Sequence, residues 1–200
     1  MTTSNEITKA TEADVQAAAD RVADAFHDIA VCEWLVPDPE RRRQILPAYF
    51  RILADAAFDN GEIFFTGANR EGAALWIYHG DEPVAIPDRY NERLHEACQE
   101  WTERFLILDE QFDLHHPHSP NHHHLALLAV TPSAQGNGFG AALLRQHHEW
   151  LDANGMPGYL EASSMRSRAL YERHGYVFMG KTLDLPDGPH MWPMWREPQS

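Results

Sequence analysis

The sequence predicts an α/β fold, a mixed central sheet flanked by helices in the order β-α-α-β-β-α-β-α-β-α-β-β. Three observations carry this. Leu125–Val130 is an apolar run long enough for a buried strand, and it runs through Thr131-Pro132-Ser133 into a Gly-rich turn and an amphipathic stretch to Leu151. Ile63–Thr66 and Ala73–Tyr78 are strand-like runs joined by a Gly67–Gly72 hairpin. Helical stripes separate these runs instead of further hairpins, so strands and helices alternate. With 200 residues, 44% of them hydrophobic, and six Trp, the chain reads as one folded domain with a real core.

Each element follows from local signals. Glu6–Ala10 reads as a first strand. Thr11 is the expected N-cap of a helix to Phe26, with Asp14 at the third helical position and Ala18, Val22, Ala25 and Phe26 on one face. Val36-Pro37-Asp38-Pro39 breaks the chain. A second helix is expected from Glu40 to Phe58, with Ile45, Tyr49, Ile52 and Leu53 on its apolar face and a bend at Pro47. Asn60-Gly61 turns into the hairpin, Pro83–Pro87 is loop, and Asp88–Phe112 reads as helix. His115–Asn121, with Pro117 and Pro120, is a polar linker to the Leu125 strand. Tyr159–Ala162 is a short strand and Arg166–His174 a helix ended by Gly175. Tyr176–Leu185 and His190–Trp195 are the last two strands, joined by Pro186-Asp187-Gly188-Pro189. Leu125–Ala162 then forms one parallel crossover.

Composition removes several function classes. A formal charge of −14 opposes nucleic acid as a general partner, because a phosphate backbone demands clustered Lys and Arg. The acidic surplus serves solubility, or alternatively attracts cationic small molecules. Two cysteines, Cys32 and Cys98, imply no disulfide framework and fit a reducing compartment. The polar start lacks a signal-peptide core, and no run approaches the ~20 apolar residues that span a bilayer. A cytoplasmic protein without a membrane partner is expected; the oligomeric state stays open.

Chemistry concentrates at Gln135-Gly136-Asn137-Gly138-Phe139-Gly140. Glycines at a strand-to-helix turn allow close backbone approach, and the helix start offers unpaired N–H groups, so the segment suits a phosphorylated ligand. Three ligands compete. A nucleotide P-loop needs Lys followed by Ser or Thr where Ala141 and Ala142 stand. A dinucleotide fingerprint is closer: Gly136, Gly138 and Ala141 fit its spacing, and Glu161 lies near the position of a ribose-binding acid. That fingerprint normally opens several βαβ units, and here one crossover follows.

The third ligand is acyl-coenzyme A. Gln135-x-x-Gly138-x-Gly140 after a strand, with Ser167–Tyr176 (SRALYERHGY) about 35 residues on, resembles the two signatures of the GCN5-related N-acetyltransferases (GNATs). Within that family, Leu125–Pro198 looks like the branch that acetylates puromycin and its actinobacterial relatives; residues 1–120 match in element order only. The resemblance implies a GNAT-like sheet, an acetyl-CoA-binding core over 125–185 of a single domain spanning 1–200, and transfer of acetyl from acetyl-CoA to the amine of a small molecule, such as an antibiotic or secondary metabolite. A nicotinamide-type oxidoreductase and a noncatalytic CoA-binding domain are the alternatives.

What the resemblance implies for residues is specific. Tyr171 would protonate the departing thiolate, and Glu161 would accept the amine proton directly or through water, or bind the amine; the structural alternative for Glu161 is a pair with Arg166. Leu128, Ala129 and Val130 would flank the cofactor, with the oxyanion donor a backbone N–H within Leu127–Val130. Gln135, Gly136, Asn137, Gly138, Phe139, Gly140 and Ala141 would hold pyrophosphate. Ser167 stands where many relatives carry Asn, and would contact the cofactor with shorter reach. Arg145 is expected on a solvated face.

Six of the 13 histidines fall in His115, His116, His118 and His122–His124. No metal is expected, because alternate strand residues face opposite sides and His122–His124 cannot all converge. His124 or His122 is an alternative base. Trp34, Trp76, Trp101 and Trp192 are candidates for an acceptor wall, otherwise core.

Overall fold

The computed structural model describes residues 6–199. Its sheet runs β1 (Ile7–Lys9), β2 (Gly61–Thr66), β3 (Gly72–His79), β4 (His122–Val130), β5 (Gly158–Ala162), β8 (His190–Arg196) and β6 (Val177–Phe178), with β7 (Leu183–Asp184) pairing to β8 outside that path. All neighbours are antiparallel except β4 and β5, the crossover through α6 (Phe139–Ala153). The mixed α/β sheet flanked by helices is as expected.

Two expected elements divide. The Asp88–Phe112 stretch is α4 (Tyr90–Cys98) and α5 (Thr102–His115), separated at Gln99, whose φ of 49° lies in the left-handed region. The Tyr176–Leu185 strand is only β6 and β7, because Gly180 with φ 90° turns the chain between them. One helix was not anticipated, α2 (Ala30–Leu35), within the region before the Pro37 break. At the first helix, a 3₁₀ turn over Glu12–Asp14 precedes α1 (Val15–Phe26). The Thr11 N–H and hydroxyl both donate to Asp14 Oδ2, at 2.8 and 2.7 Å. The long helix α3 (Pro39–Asn60) contains Pro47 and starts at Asp38, whose carboxylate accepts from the Arg41 N–H at 2.9 Å.

The sheet separates two apolar layers. On one face α1, α3 and α5 supply Ala18, Val22, Ile45, Tyr49 and Phe105 against Phe65, Leu75, Leu127 and Ala129. On the other, α6 and α7 (Met165–Glu172) supply Leu143, Leu144 and Tyr171 against Trp76, Leu125, Leu160 and Met194. Two histidines sit inside this second layer. His147 stacks on Trp76 with centroids 4.0 Å apart, and its Nε2 lies 3.0 Å from His123 Nδ1. His148 Nε2 lies 3.2 Å from the Tyr176 hydroxyl. Burial pushes both imidazoles down to about 3, so both are neutral.

A bulge sets which residues of β4 face which layer. Trp76 pairs with Leu125 and Leu75 with Leu127, which leaves Ala126 as an extra residue. Before it, His123 and Leu125 face α6 while His122 and His124 face α5. After it, the odd-numbered Leu127 and Ala129 join the α5 side.

Candidate active site at the split between two parallel strands

The parallel pair β4–β5 is short. Its register is His123 with Gly158 and His124 with Tyr159, and beyond these residues the strands separate. Leu128, Ala129 and Val130 stay bonded to Ala74, Ala73 and Gly72 of β3, so their other edge faces the split. Ala126 and Glu161 each lie two residues past the last pair, at the root of the opening.

Glu161 is 5% exposed at its side chain and its Oε2 lies 2.8 Å from His124 Nε2. The pairing partner is therefore His124, not Arg166. With the proton on Nε2, the imidazole donates to a carboxylate; the second carboxylate oxygen, Oε1, is buried and has no protein hydrogen-bond partner. A buried oxygen left this way is poised for a donor from a ligand.

Tyr171 lies in α7 on the opposite face, 7% exposed, edge-on to Tyr176 at 5.9 Å. Among the described residues its hydroxyl has no hydrogen-bond partner. Burial, and then the charge of Glu161, push its pKa above the usual phenol range, so the hydroxyl keeps its proton.

The turn into α6 has the shape its glycines predict. Gly136 and Gly138 have φ of 84° and 83°, and a β-carbon added at either would meet open space within 4 Å. Gly138 caps the helix, and the first helical bond there runs from Ala142 N–H to the Gly138 carbonyl at 2.9 Å. The N–H groups of Phe139, Gly140 and Ala141 therefore have no partner within the helix, and they lie where its dipole is positive. Gln135 Nε2 donates to the Val130 carbonyl at 3.3 Å and Asn137 Nδ2 to the Ala134 carbonyl at 3.0 Å, which ties the loop to the end of β4. This exposed cradle suits a pyrophosphate. Arg145 is exposed, as expected.

Ser167 is engaged at the start of α7. Its Oγ donates to the Ser164 carbonyl at 2.9 Å and accepts from the Ser164 N–H at 3.0 Å, while Ser164 Oγ accepts from the Ser167 N–H at 3.1 Å. It caps its own helix.

The tryptophans also divide. Trp76 is fully buried core and Trp192 packs under the α6 layer. Trp34 lines an open cleft of about 510 Å³, with Glu33, Pro37, Glu103, Arg104, Ile107, Pro186 and Asp187. Its indole N–H donates to the Pro186 carbonyl at 3.0 Å, and the Arg104 guanidinium sits over its ring and that of Trp101.

Sequence reasoning missed His79. The β3–β4 register sets it directly opposite His122. With His116, at the end of α5, these rings gather on the face that carries His124: His79 and His122 stack at 5.1 Å, and His116 lies 4.1 Å from His79 and 5.0 Å from His124. Burial lowers His79 to about 3 and His116 to about 2, with His122 lowered as well. A lone histidine ending a strand 43 residues earlier gave no sign of this in the sequence.

The comparisons with known proteins agree with this geometry. The acetyltransferase (GNAT) family model matches residues 23–176. An N-acetyltransferase of Schizosaccharomyces pombe, itself uncharacterized, is 26% identical over 177 residues, 82% of this chain and 71% of the relative. A Corynebacterium glutamicum crystal structure, described as histone acetyltransferase HPA2 and related acetyltransferase, is 26% identical with a TM-score of 0.73, covering 98% of both chains. Arylalkylamine N-acetyltransferase 2 from Aedes aegypti shares the fold, with 15% identity and a TM-score of 0.60 over 97% of this chain and 99% of that one. With the split strands, the glycine cradle and a match over most of its length, the chain belongs to the acetyltransferase (GNAT) family, acetyl-CoA-dependent N-acetyltransferases.

Proposed function

We propose that this enzyme acetylates the amine of a small molecule with an apolar or aromatic body, with Glu161 as base. The observation that carries the reading is the buried Glu161–His124 pair at the root of the split, with Glu161 Oε1 left unpartnered. Alkyl amines have pKa values of roughly 10, so near neutral pH an amine must lose a proton before or during attack. Glu161 takes that proton; His124 Nε2 donates to its other oxygen and fixes the carboxylate's orientation. Attack on the thioester carbonyl puts negative charge on oxygen, which a β4 backbone N–H within Leu127–Val130 stabilises. Collapse breaks the carbon–sulfur bond, and Tyr171 protonates the leaving thiolate. The N–H groups of residues 135–141 hold the pyrophosphate, and Leu128–Val130 flank the pantetheine arm.

The cleft beside Trp34 is the acceptor's entrance in this reading. Glu33 and Glu103 favour a cationic approach, and Trp34 and Ile107 an apolar body. The resemblance of Leu125–Pro198 to puromycin-acetylating enzymes supports an antibiotic or secondary-metabolite acceptor. A protein amine is the second reading, favoured by the description of the C. glutamicum structure as a histone acetyltransferase. A panel of aminonucleosides, arylalkylamines, polyamines and lysine peptides, with acetyl-CoA and free thiol as the readout, separates the two. Turnover on small aromatic amines is expected; turnover on peptides alone overturns the small-molecule assignment.

A further inference from the structure

We propose that His79, His116 and His122 form a binding site for a divalent transition metal of the zinc class, separate from the acetyl-transfer groups. The three imidazoles come from the end of β3, the end of α5 and the start of β4. Each offers one ring nitrogen, and the three atoms lie within 4.8 Å of one another. Zinc–imidazole bonds of about 2.0–2.1 Å put two ligand nitrogens roughly 3.4 Å apart across a tetrahedral centre. His116 Nε2 and His122 Nε2 are already 3.1 Å apart.

The proton positions favour ligation. His122 Nδ1 lies 2.9 Å from the Pro120 carbonyl, which can only accept, so Nδ1 carries the proton and the Nε2 lone pair points at His116. A ligating histidine usually donates its other ring N–H to such a carbonyl. His79 Nε2 is buried with no hydrogen-bond partner among the described residues, so its ring nitrogen lacks any satisfaction that the protein supplies. Three neutral nitrogen donors with no carboxylate select zinc, nickel, cobalt or copper over calcium or magnesium. The ion would tie the last turn of α5 to the sheet, across the segment holding Pro117 and Pro120.

A second grouping, His116 with His124 and Glu161, shares one ligand with the first. The experiment distinguishes them. Protein purified without a polyhistidine tag and stripped with chelator is titrated with ZnSO₄ by calorimetry and checked by elemental analysis. One equivalent should bind with micromolar or tighter affinity and raise the melting temperature. H79Q and H122Q should each weaken zinc at least tenfold, and H79Q should keep acetyl transfer within a few-fold. In the unsubstituted protein, one equivalent of zinc should shift the imidazole NMR signals of His79, His116 and His122, and leave those of His27 and His190 in place; this arm needs no variant to fold. The proposal is overturned if no stoichiometric zinc binds, if H79Q binds as tightly as the parent protein, if E161Q abolishes binding while H79Q does not, or if His27 or His190 responds instead.

Discussion

Acidification should weaken the fold through His147 and His148, well above the range where carboxylates titrate. Both are buried, 1% and 5% exposed, and both fall from 6.5 to about 3 in the native state. A folded value below the unfolded one means that the unfolded chain binds the proton first. The stabilisation is complete above pH 6.5 and is lost as pH falls toward 3. Between pH 8 and 5 the loss is RT ln(1 + 10^1.5), about 2 kcal/mol for each residue. Asp109 opposes this. Burial raises its carboxyl from 3.8 to about 6, so it stabilises at low pH and that contribution fades as pH rises through 6. Acidifying from pH 8 to 5 returns roughly 1 kcal/mol through Asp109. The histidine pair outweighs Asp109 by about 3 kcal/mol, against a typical total of about 5–15, and His79, His116 and His123, also pushed down by burial, add losses of the same sign. Urea unfolding at pH 8 and pH 5 measures it, and the H147Q/H148Q double variant isolates the pair. Its loss over the same pH interval should be smaller than that of the parent protein by about 4 kcal/mol. Equal losses in the two proteins would show that these imidazoles are not held neutral in the folded state.

Two further outcomes test the site. E161Q and Y171F should each lower kcat about 10²-fold, a size typical of one acid–base group, with little effect on acetyl-CoA binding. The E161Q deficit should shrink as pH rises, because solution then supplies neutral amine, whereas Y171F should show no such rescue; pH–rate profiles with one good acceptor decide, and equal pH-independent deficits would leave Glu161 as a positioning group only. Gly138→Asp places a β-carbon and a carboxylate in the open space above a residue at φ 83°. Acetyl-CoA affinity by calorimetry should fall at least tenfold while the circular dichroism spectrum persists, and an unchanged affinity would remove the pyrophosphate assignment.

Much of this molecule was legible where the signal is local. The hairpin, the strand–turn–helix at Gln135–Gly140 and the Gly175 stop are each written in a few adjacent residues, and the turn's positive φ values fall on its glycines. What escaped depends on distant partners. Helix α2 is six residues, too short for its apolar period to show. The break at Gln99 has no Gly or Pro to announce it. The histidine cluster needed the β3–β4 register, which brings His79 to His122. His122, His123 and His124 do not converge, since His123 faces the other layer with His147. His122 and His124 do share a face, and His79 and His116 from other elements complete the group. Ser167 is a similar case: its neighbour Ser164, three residues before, was the partner to look for.

The extra residue at Ala126 has a consequence for how such a strand can change. It divides β4 into two halves with opposite parity, a histidine half before it and a cofactor half after it. Substitutions in one half need not be matched by repacking in the other, so the chemistry near His122 and His124 can diversify while the edge along Leu128–Val130 stays constant. Length shares that freedom at the bulge alone. Deleting Ala126 would set Leu127 directly after Leu125, opposite Leu75 and Trp76 as before, and leave both halves on their present faces. Removing a paired residue such as Leu128 would instead turn over everything beyond it. In this strand point changes and loss of the bulge are cheap experiments for evolution, and a single-residue deletion among the paired residues is not.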